Sequence, residues 1–205
     1  MKEKIVQTAV ALFNEKGLSN VSMKQIADKL GISAGNLSYH FKTKAVLLSH
    51  IYSEMSSEAL EYILPDTYIT LHHFEIIIQK FREHQMKYSF FFQDVVDIVR
   101  SYPEITTLYH EATLKRFAQS KALIEYYVKT GRIRPESDGV NYDQMVHLIW
   151  MITTFWASQE QIAKIPGYEV NNCQPTELLW NIIIPFLTDK GKEEYQQIRK
   201  YVKLP

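Results

Sequence analysis

Apolar residues recur along most of this 205-residue chain at three- and four-residue spacing, which is the spacing of amphipathic helices. A first helix is predicted over residues 2–16, and its apolar face carries Ile5, Ala9, Leu12 and Phe13. Nowhere do apolar and polar residues alternate between hairpin-type dipeptides, as they would in an antiparallel sheet. The pattern therefore predicts an all-α fold.

Residues 22–44 hold two short helices and a turn. Ser22 and Gln25 form an S-x-x-Q capping box, which predicts that a helix begins at Met23. Gly31 is predicted to end this helix, because glycine adopts the left-handed C′ conformation without steric cost.

The second short helix is predicted over residues 34–41, with Ser33 as its N-cap. Leu37 and Phe41 lie one turn apart and can pin it to the preceding helix. The three amino-terminal helices are expected to share one small core, formed by Phe13, Val21, Ile26, Leu30, Leu37 and Phe41. The opposite face of the second short helix is small and polar: Ala34, Gly35, Asn36, Ser38 and Tyr39.

This arrangement is typical of a helix-turn-helix, whose second helix enters the DNA major groove. An ordinary helical hairpin in an all-α protein has the same spacing, so spacing alone leaves both interpretations open.

Particular residues add a resemblance. GISAGNLSYHFKTKAVLL at 31–48 and SMKQIA at 22–27 resemble the signature of the TetR family of one-component transcriptional regulators. The resemblance implies a DNA-binding domain over residues 1–46 and an effector-binding and dimerisation domain over residues 47–205.

The distribution of charge agrees with a nucleic-acid partner, although the chain has no net charge. Residues 1–50 contain seven lysines against three acidic residues, whereas the remainder contains 16 basic and 20 acidic residues. The positive end is therefore the helix-turn-helix end.

Other features of composition exclude several classes of protein. Cys173 is the only cysteine, so a disulfide framework and a cysteine-cluster metal site are excluded, and a reducing cytoplasm fits. The first 17 residues lack a signal-type apolar core, and even MVHLIWMITTFWA at 145–157 is too short and polar to span a membrane. We therefore expect a cytoplasmic protein with no membrane partner.

The first turn of the recognition helix is expected to read the DNA sequence. Ala34, Gly35 and Asn36 occupy it, and the Asn36 carboxamide can offer a donor and an acceptor to adenine. The family commonly has a tyrosine at the position of Ser38, whereas this chain has serine there and an aromatic residue at Tyr39. Whether Tyr39 takes over that contact stays open.

Phosphate contacts are expected from hydroxyls, cations and helix starts, all of which favour anionic oxygen. Lys24 matches a basic position of the family that reaches a base or phosphate, with a solvated side chain as the alternative, and His40 could instead pack inside the small domain. Lys44 matches the family's lysine. The expected phosphate contacts are Ser22, Ser33, His40, Lys42, Thr43 and Lys44.

Beyond this segment, a connector helix is predicted over residues 45–64, followed by further helices. Breaks are predicted at 102–103, 131–139, 166–175 and 189–191, where proline, glycine and aspartate cluster. Residues 88–136 also resemble one subset of TetR-family carboxy-terminal domains.

Aromatic residues dominate the predicted second domain. The run at 88–92 is too dense for one helix face, so some rings are expected to point into the second domain and at least one elsewhere. A ligand cavity, if present, would be lined by aromatic residues and would favour an apolar or aromatic effector; core packing is the alternative. Asp94 and Asp97 could be a polar feature of the cavity or simply exposed. The candidate lining residues are Tyr88, Phe91, Phe92, Phe117, Tyr126, Trp150 and Trp156.

A homodimer is implied by the resemblance, because the family dimerises through two carboxy-terminal helices. Residues 142–158 and 176–187 match them and carry apolar residues on more than one face. Pro185 is expected to end or bend the second helix. The candidate interface residues are Ile149, Ile152, Leu179, Ile182, Ile183 and Phe186.

Enzyme and metal functions have no support in the sequence. His72 and His73 diverge by about 100° on a helix, and His84, His110 and His147 lack partners at ligand spacing. No nucleophile or phosphate-loop motif occurs, and no cofactor is expected. The resemblance implies a repressor that binds a pseudo-palindromic double-stranded operator as a dimer and is released by a small, largely apolar effector; an activator is the alternative. A DNA-binding protein without an effector stays open, and would have a solidly packed second domain.

Overall fold

The computed structural model describes residues 1–62, 68–137, 139–162 and 175–201. The described residues form α-helices, two short 3-10 turns at Leu18–Asn20 and Ile184–Phe186, and one isolated bridge between Ile133 and Leu187. The predicted all-α fold is confirmed. The helices are α1 Lys2–Lys16, α2 Met23–Leu30, α3 Ala34–His40, α4 Lys44–Leu60, α5 Leu71–Lys87, α6 Ser89–Gln93, α7 Val95–Ser101, α8 Pro103–Lys129, α9 Tyr142–Ile162, α10 Pro175–Ile183 and α11 Asp189–Tyr201.

The amino-terminal part, residues 1–43 with α1 to α3, is called the head below, and the described residues from 44 onward are called the body. In the head, the Ser22–Gln25 capping box is present and Gly31 closes α2 with a left-handed φ of 67°. Ser33 caps α3, which ends one residue earlier than predicted because Phe41 has extended dihedral angles. The local signals in the sequence therefore placed these helix ends to within one residue.

The core predicted for the head is present. Phe13, Val21, Ile26, Leu37 and Phe41 are buried, and Leu30 is half-buried against them. This core continues into the body, since the rings of Phe13 and Phe90 lie 5.2 Å apart between their centroids.

The connector helix α4 packs along α8 and touches α1 and α5. It begins at Lys44 and ends at Leu60, so the predicted helix was too long at residues 61–62, which form a turn. Residues 63–64 of the predicted span lie outside the described part of the chain. As expected, the rings of the aromatic run point in different directions: Phe90 packs on Phe13 of the head, whereas Phe91 and Phe92 pack on rings of the body. All four rings at 88–92 are buried, and helix α6 lies between α1, α5 and α9.

The predicted breaks at 102–103 and 131–139 are confirmed by the ends of α7, α8 and α9. The predicted break at 189–191 is wrong, because α11 begins there, with the Thr188 hydroxyl accepting from the Gly191 amide at 3.2 Å. Gly191 serves close packing instead: a Cβ on it would lie 2.2 Å from the Arg132 carbonyl oxygen.

Helices α9 and α10 cover the two carboxy-terminal segments predicted from the sequence. As expected for Pro185, α10 ends at Ile183 and a 3-10 turn follows. The predicted break at 166–175 lies almost entirely outside the described residues, as does Cys173.

Candidate DNA-binding surface and internal cavity

The outer face of α3 is exposed to solvent, and none of the described residues covers it. Leu37 is 1% exposed and anchors the helix, while the small polar positions around it are exposed. Tyr39 is the extreme case, since an aromatic side chain that is 87% exposed contributes little to folding. We call this surface the reading face; it consists of Ala34, Gly35, Asn36, Ser38 and Tyr39.

Three hydroxyls around the reading face hold helix starts. Those of Ser22, Ser33 and Thr43 accept from the backbone amide three residues later, at 3.3, 3.1 and 3.2 Å. Each cap satisfies only some of the free amides in the first turn, so these helix starts keep donors for an anion.

Among the basic candidates, Lys24 and Lys42 are exposed, whereas Lys44 is turned inward. Its ammonium group donates to the Leu18 carbonyl and lies 5.6 Å from the centroid of the Phe13 ring. Burial lowers the pKa of Lys44. In this conformation Lys44 joins α4 to the head rather than extending toward solvent.

His40 is half-buried, and its ring contacts the ring of Tyr39 edge-on at 5.3 Å. The ring that packs beside Phe41 belongs to His50, at 5.4 Å. His40 therefore lies at the edge of the reading face, not in the core of the head.

A cavity of about 100 Å³ lies inside the body, enclosed by α4, α5, α8, α9 and α10. Of the aromatic residues expected to line it, Phe117 and Trp150 do so, with their rings edge-to-face at 5.7 Å. The wall also contains Arg116 and the α4-end residues Ala59 and Tyr62. Aliphatic side chains form much of the rest, among them Ile77, Ile78, Leu123, Ile124, Val146 and Ile149.

Five other candidates do not line this cavity. Tyr88 is buried at the junction with α4, where its hydroxyl donates to Glu58 at 3.2 Å, and Phe91 and Phe92 form part of the core shared with the head. The Tyr126 hydroxyl accepts from the Ile69 amide, and Trp156 is half-buried elsewhere on α9. Selecting aromatic residues alone missed the aliphatic stripes of α5 and α8, which helical spacing could have revealed.

The candidate dimer residues divide in a similar way. Leu179 and Ile183 are buried and line the cavity, so the expectation that these two face a partner is wrong. Ile149 also lines the cavity but is half-buried. Ile152, Ile182 and Phe186 are half-buried and pack against the body core. The exposed large apolar residues of α9 are instead Leu148, Met151 and Ile162, at 49%, 45% and 67% exposure.

His84 has a partner that sequence spacing did not show. Its Nδ1 lies 3.6 Å from an oxygen of Glu58, which comes from α4 and also binds Lys87 at 2.8 Å. Burial is the main cause that lowers the pKa of His84 to about 4, and the Glu58 carboxylate opposes it. His84 is therefore neutral at neutral pH and belongs to the packing between α4 and α5.

Asp94 and Asp97 are exposed and lie outside the apolar cavity. They line a polar cleft between α7 and the segment that follows α1, together with Ser19 and Asn20. Within the described ranges, no cluster of three or more potential metal-ligating side chains occurs, and no helix is long and apolar enough to cross a membrane.

Two family models match this chain. One, described as bacterial regulatory proteins of the tetR family, covers residues 5–51, and one described as TetR, bacterial transcriptional repressor, covers residues 51–195. A probable HTH-type transcriptional regulator of Bacillus subtilis, YttP, is 43% identical over 53 residues, which is 26% of each chain. The chain thus aligns with only about a quarter of that relative's length.

Two solved structures are similar over nearly the whole chain. A TetR-family transcriptional regulator from Marinobacter aquaeolei is 26% identical, with 98% and 97% of the two chains covered and a TM-score of 0.85. The SmeT–triclosan complex contains the repressor of a Stenotrophomonas maltophilia multidrug efflux pump. SmeT is 14% identical, with 92% of each chain covered and a TM-score of 0.64, so this likeness shows the fold alone.

Proposed function

The chain belongs to the TetR family of bacterial transcriptional regulators, and we propose that it is a ligand-responsive repressor that binds a pseudo-palindromic operator as a homodimer. A small, largely apolar effector would enter the cavity and release the DNA. Residues 1–46 would form the DNA-binding domain and residues 47–205 the effector-binding and dimerisation domain. The observation that carries the proposal is the connector α4, which begins beside the reading face and ends in the cavity wall.

Asn36 is proposed as the main sequence reader, because its exposed carboxamide lies in the first turn of α3. Exposed Lys24 and Lys42 would supply most of the salt-dependent attraction to phosphate. Lys44 would reach a phosphate only after leaving the Leu18 carbonyl, so its contribution should be smaller. Ser22, Ser33 and Thr43 would act mainly through the helix starts that they cap, with His40 at the rim.

The size of the cavity links effector binding to the position of α4. A volume of about 100 Å³ is smaller than the 300 Å³ or more of typical ligand sites, so a larger effector must displace part of the wall. Ala59 and Tyr62 make the end of α4 part of that wall. The effector need only bind more tightly to the state in which α4 has shifted. A DNA-binding protein without an effector would have no reason to keep this space.

Dimerisation is proposed through the outer surface of α9 and α10. Leu148 and Met151 are exposed on α9 one turn apart. Ile152 on α9 and Ile182 on α10 are half-buried. Two copies joined this way would place their recognition helices about 34–36 Å apart, one turn of DNA.

The test begins with selection of the operator from fragments of bacterial genomic DNA, followed by affinity measurements over a range of salt. Asn36→Ala should weaken binding to the operator by about 1–3 kcal/mol and leave random DNA unaffected. Lys42→Ala should weaken both equally and reduce the salt slope by about one. Lys115→Ala, an exposed lysine of the body, is the control. Equal losses on operator and random DNA for Asn36→Ala would remove it as the reader.

A further inference from the structure

Arg116 is an unusual member of the cavity wall. It projects from α8, is half-buried, and its Nε is buried without a hydrogen-bond partner. Its guanidinium makes one long hydrogen bond, 3.5 Å from Nη2 to the Thr113 hydroxyl on the same helix. No ion pair of the described residues includes Arg116.

The groups around Arg116 do not supply a negative charge. His84 is neutral, and burial raises the pKa of the Tyr52 and Tyr109 hydroxyls, which stay protonated at neutral pH. Glu58 is held by Lys87 at 2.8 Å. The described residues around Arg116 therefore supply polar groups but no counter-charge for its guanidinium, and a partly buried charge without a partner is costly in a folded protein.

Arg132 shows the usual solution within the same body. It is fully buried, and its Nε donates to the Glu194 carboxylate at 2.9 Å, so the chain supplies its own counter-charge. Arg116 lacks such a partner although it lies against the cavity.

Trp150 adds a second unused donor. Its indole Nε1 is buried without a hydrogen-bond partner, and its ring lines the cavity on the side of α9. A guanidinium and an indole N–H are both donors only, so they recognise an acceptor. The rest of the wall is mainly aliphatic and aromatic, as a ligand with a single polar end requires.

We propose that the effector is a small apolar monoanion whose carboxylate binds Arg116, with Trp150 as a second donor and the apolar body against Phe117, Ile78 and Ile149. This inference rests on the proposed effector function, and it specifies that the small, largely apolar effector is an acid. A cavity of about 150 Å³ holds benzene, so the present space of about 100 Å³ suits a single ring after slight expansion.

Calorimetry on the purified, DNA-free protein tests the proposal with two probes of nearly equal shape at pH 7.5: 3-phenylpropanoate and 3-phenylpropan-1-ol. The acid should bind at least tenfold more tightly, because only its charge compensates Arg116. Equal binding of the two probes, tighter binding of the alcohol, or no binding of the acid at millimolar concentration would overturn the proposal.

Variants identify the residue responsible. Arg116→Gln should abolish the preference for the acid, and Arg116→Lys should restore part of it, because a lysine provides the charge without the planar fork. Lys115→Gln makes the same change of charge on the neighbouring exposed side chain and should keep the full preference. A full preference in folded Arg116→Gln would overturn the assignment; if that variant fails to fold, Arg116→Met takes its place, and a full preference in that variant would do the same.

A final measurement separates this inference from the proposed function. Binding of the acid without release of operator DNA would leave the anion site standing and contradict effector-controlled repression. Release of the operator by the alcohol, with no preference for the acid, would contradict the anion site and leave effector-controlled repression standing.

Discussion

The head and the body of this protein differ in how completely their interiors are filled and hydrogen-bonded. In residues 1–43, all of them described, no buried side-chain polar atom lacks a hydrogen-bond partner, and capping hydroxyls start α2 and α3. The body encloses a cavity and leaves the Nε of Arg116 and the Nε1 of Trp150 without a hydrogen-bond partner. A surface that reads DNA must keep a fixed shape, whereas a body that admits a ligand must keep space and unused donors.

The largest expected effect compares one aromatic residue from each part. Phe13→Ala should lower the free energy of unfolding by about 3–5 kcal/mol, because the ring is fully buried where the head meets the body. Phe117→Ala should cost less than half as much, since this half-buried ring already borders open space. Urea denaturation measures both. Equal losses would show that the cavity wall is as tightly packed as the head.

The loss of stability at acid pH should arise in the body, from the buried His84. The pKa of His84 is lowered to about 4 from an ordinary value near 6.5, so the unfolded state binds more protons between these pH values. Stability should therefore fall by about 2–3 kcal/mol as the pH decreases through this window, and should not change above it. His84→Gln should flatten the dependence of the unfolding free energy on pH, while His72→Gln, at an exposed histidine, should not. An unchanged pH profile for His84→Gln would assign the acid sensitivity elsewhere.

A single added methylene tests the spare volume directly. Val21→Ile in the head should cost about 1–3 kcal/mol, because Val21 is 2% exposed in a filled core. Val146→Ile should be near neutral or slightly stabilising, since Val146 borders the cavity. The melting temperatures of the two variants measure this difference. An unchanged Val21→Ile together with a destabilised Val146→Ile would show that the spare volume is not in the body.

The smallest effect concerns two glycines within the head. Gly31→Ala should destabilise by about 1 kcal/mol, because Gly31 has a φ of 67°. Gly35→Ala should stabilise by about 0.4–1 kcal/mol, since a Cβ there meets only the Ser33 hydroxyl at 3.9 Å. Gly35→Ala should nevertheless weaken operator binding if the backbone of the reading face approaches DNA closely. Thermal melts and operator titrations of the same two samples distinguish the two roles of glycine.

Sequence reasoning worked best where a few neighbouring residues decide the outcome. The Ser22–Gln25 box and the ends of α2 and α3 followed from caps and a left-handed glycine. It was less successful in the body: of the seven aromatic residues expected in a cavity, Phe117 and Trp150 line it. A ring on a helix with apolar residues on several faces gives no local sign of whether it meets core, cavity or partner.

By itself, the sequence determined the helical fold, the helix-turn-helix head, its exposed reading face and its concentration of lysines, because caps, periodicity and charge act over a few residues. Only the tertiary structure decided that Lys44 turns toward Leu18, that Glu58 meets His84, and that Arg116 reaches an apolar cavity without a counter-charge. Each of these depends on helices that are distant in sequence lying side by side. Their relative positions are set by the packing of the whole chain, which no local pattern contains.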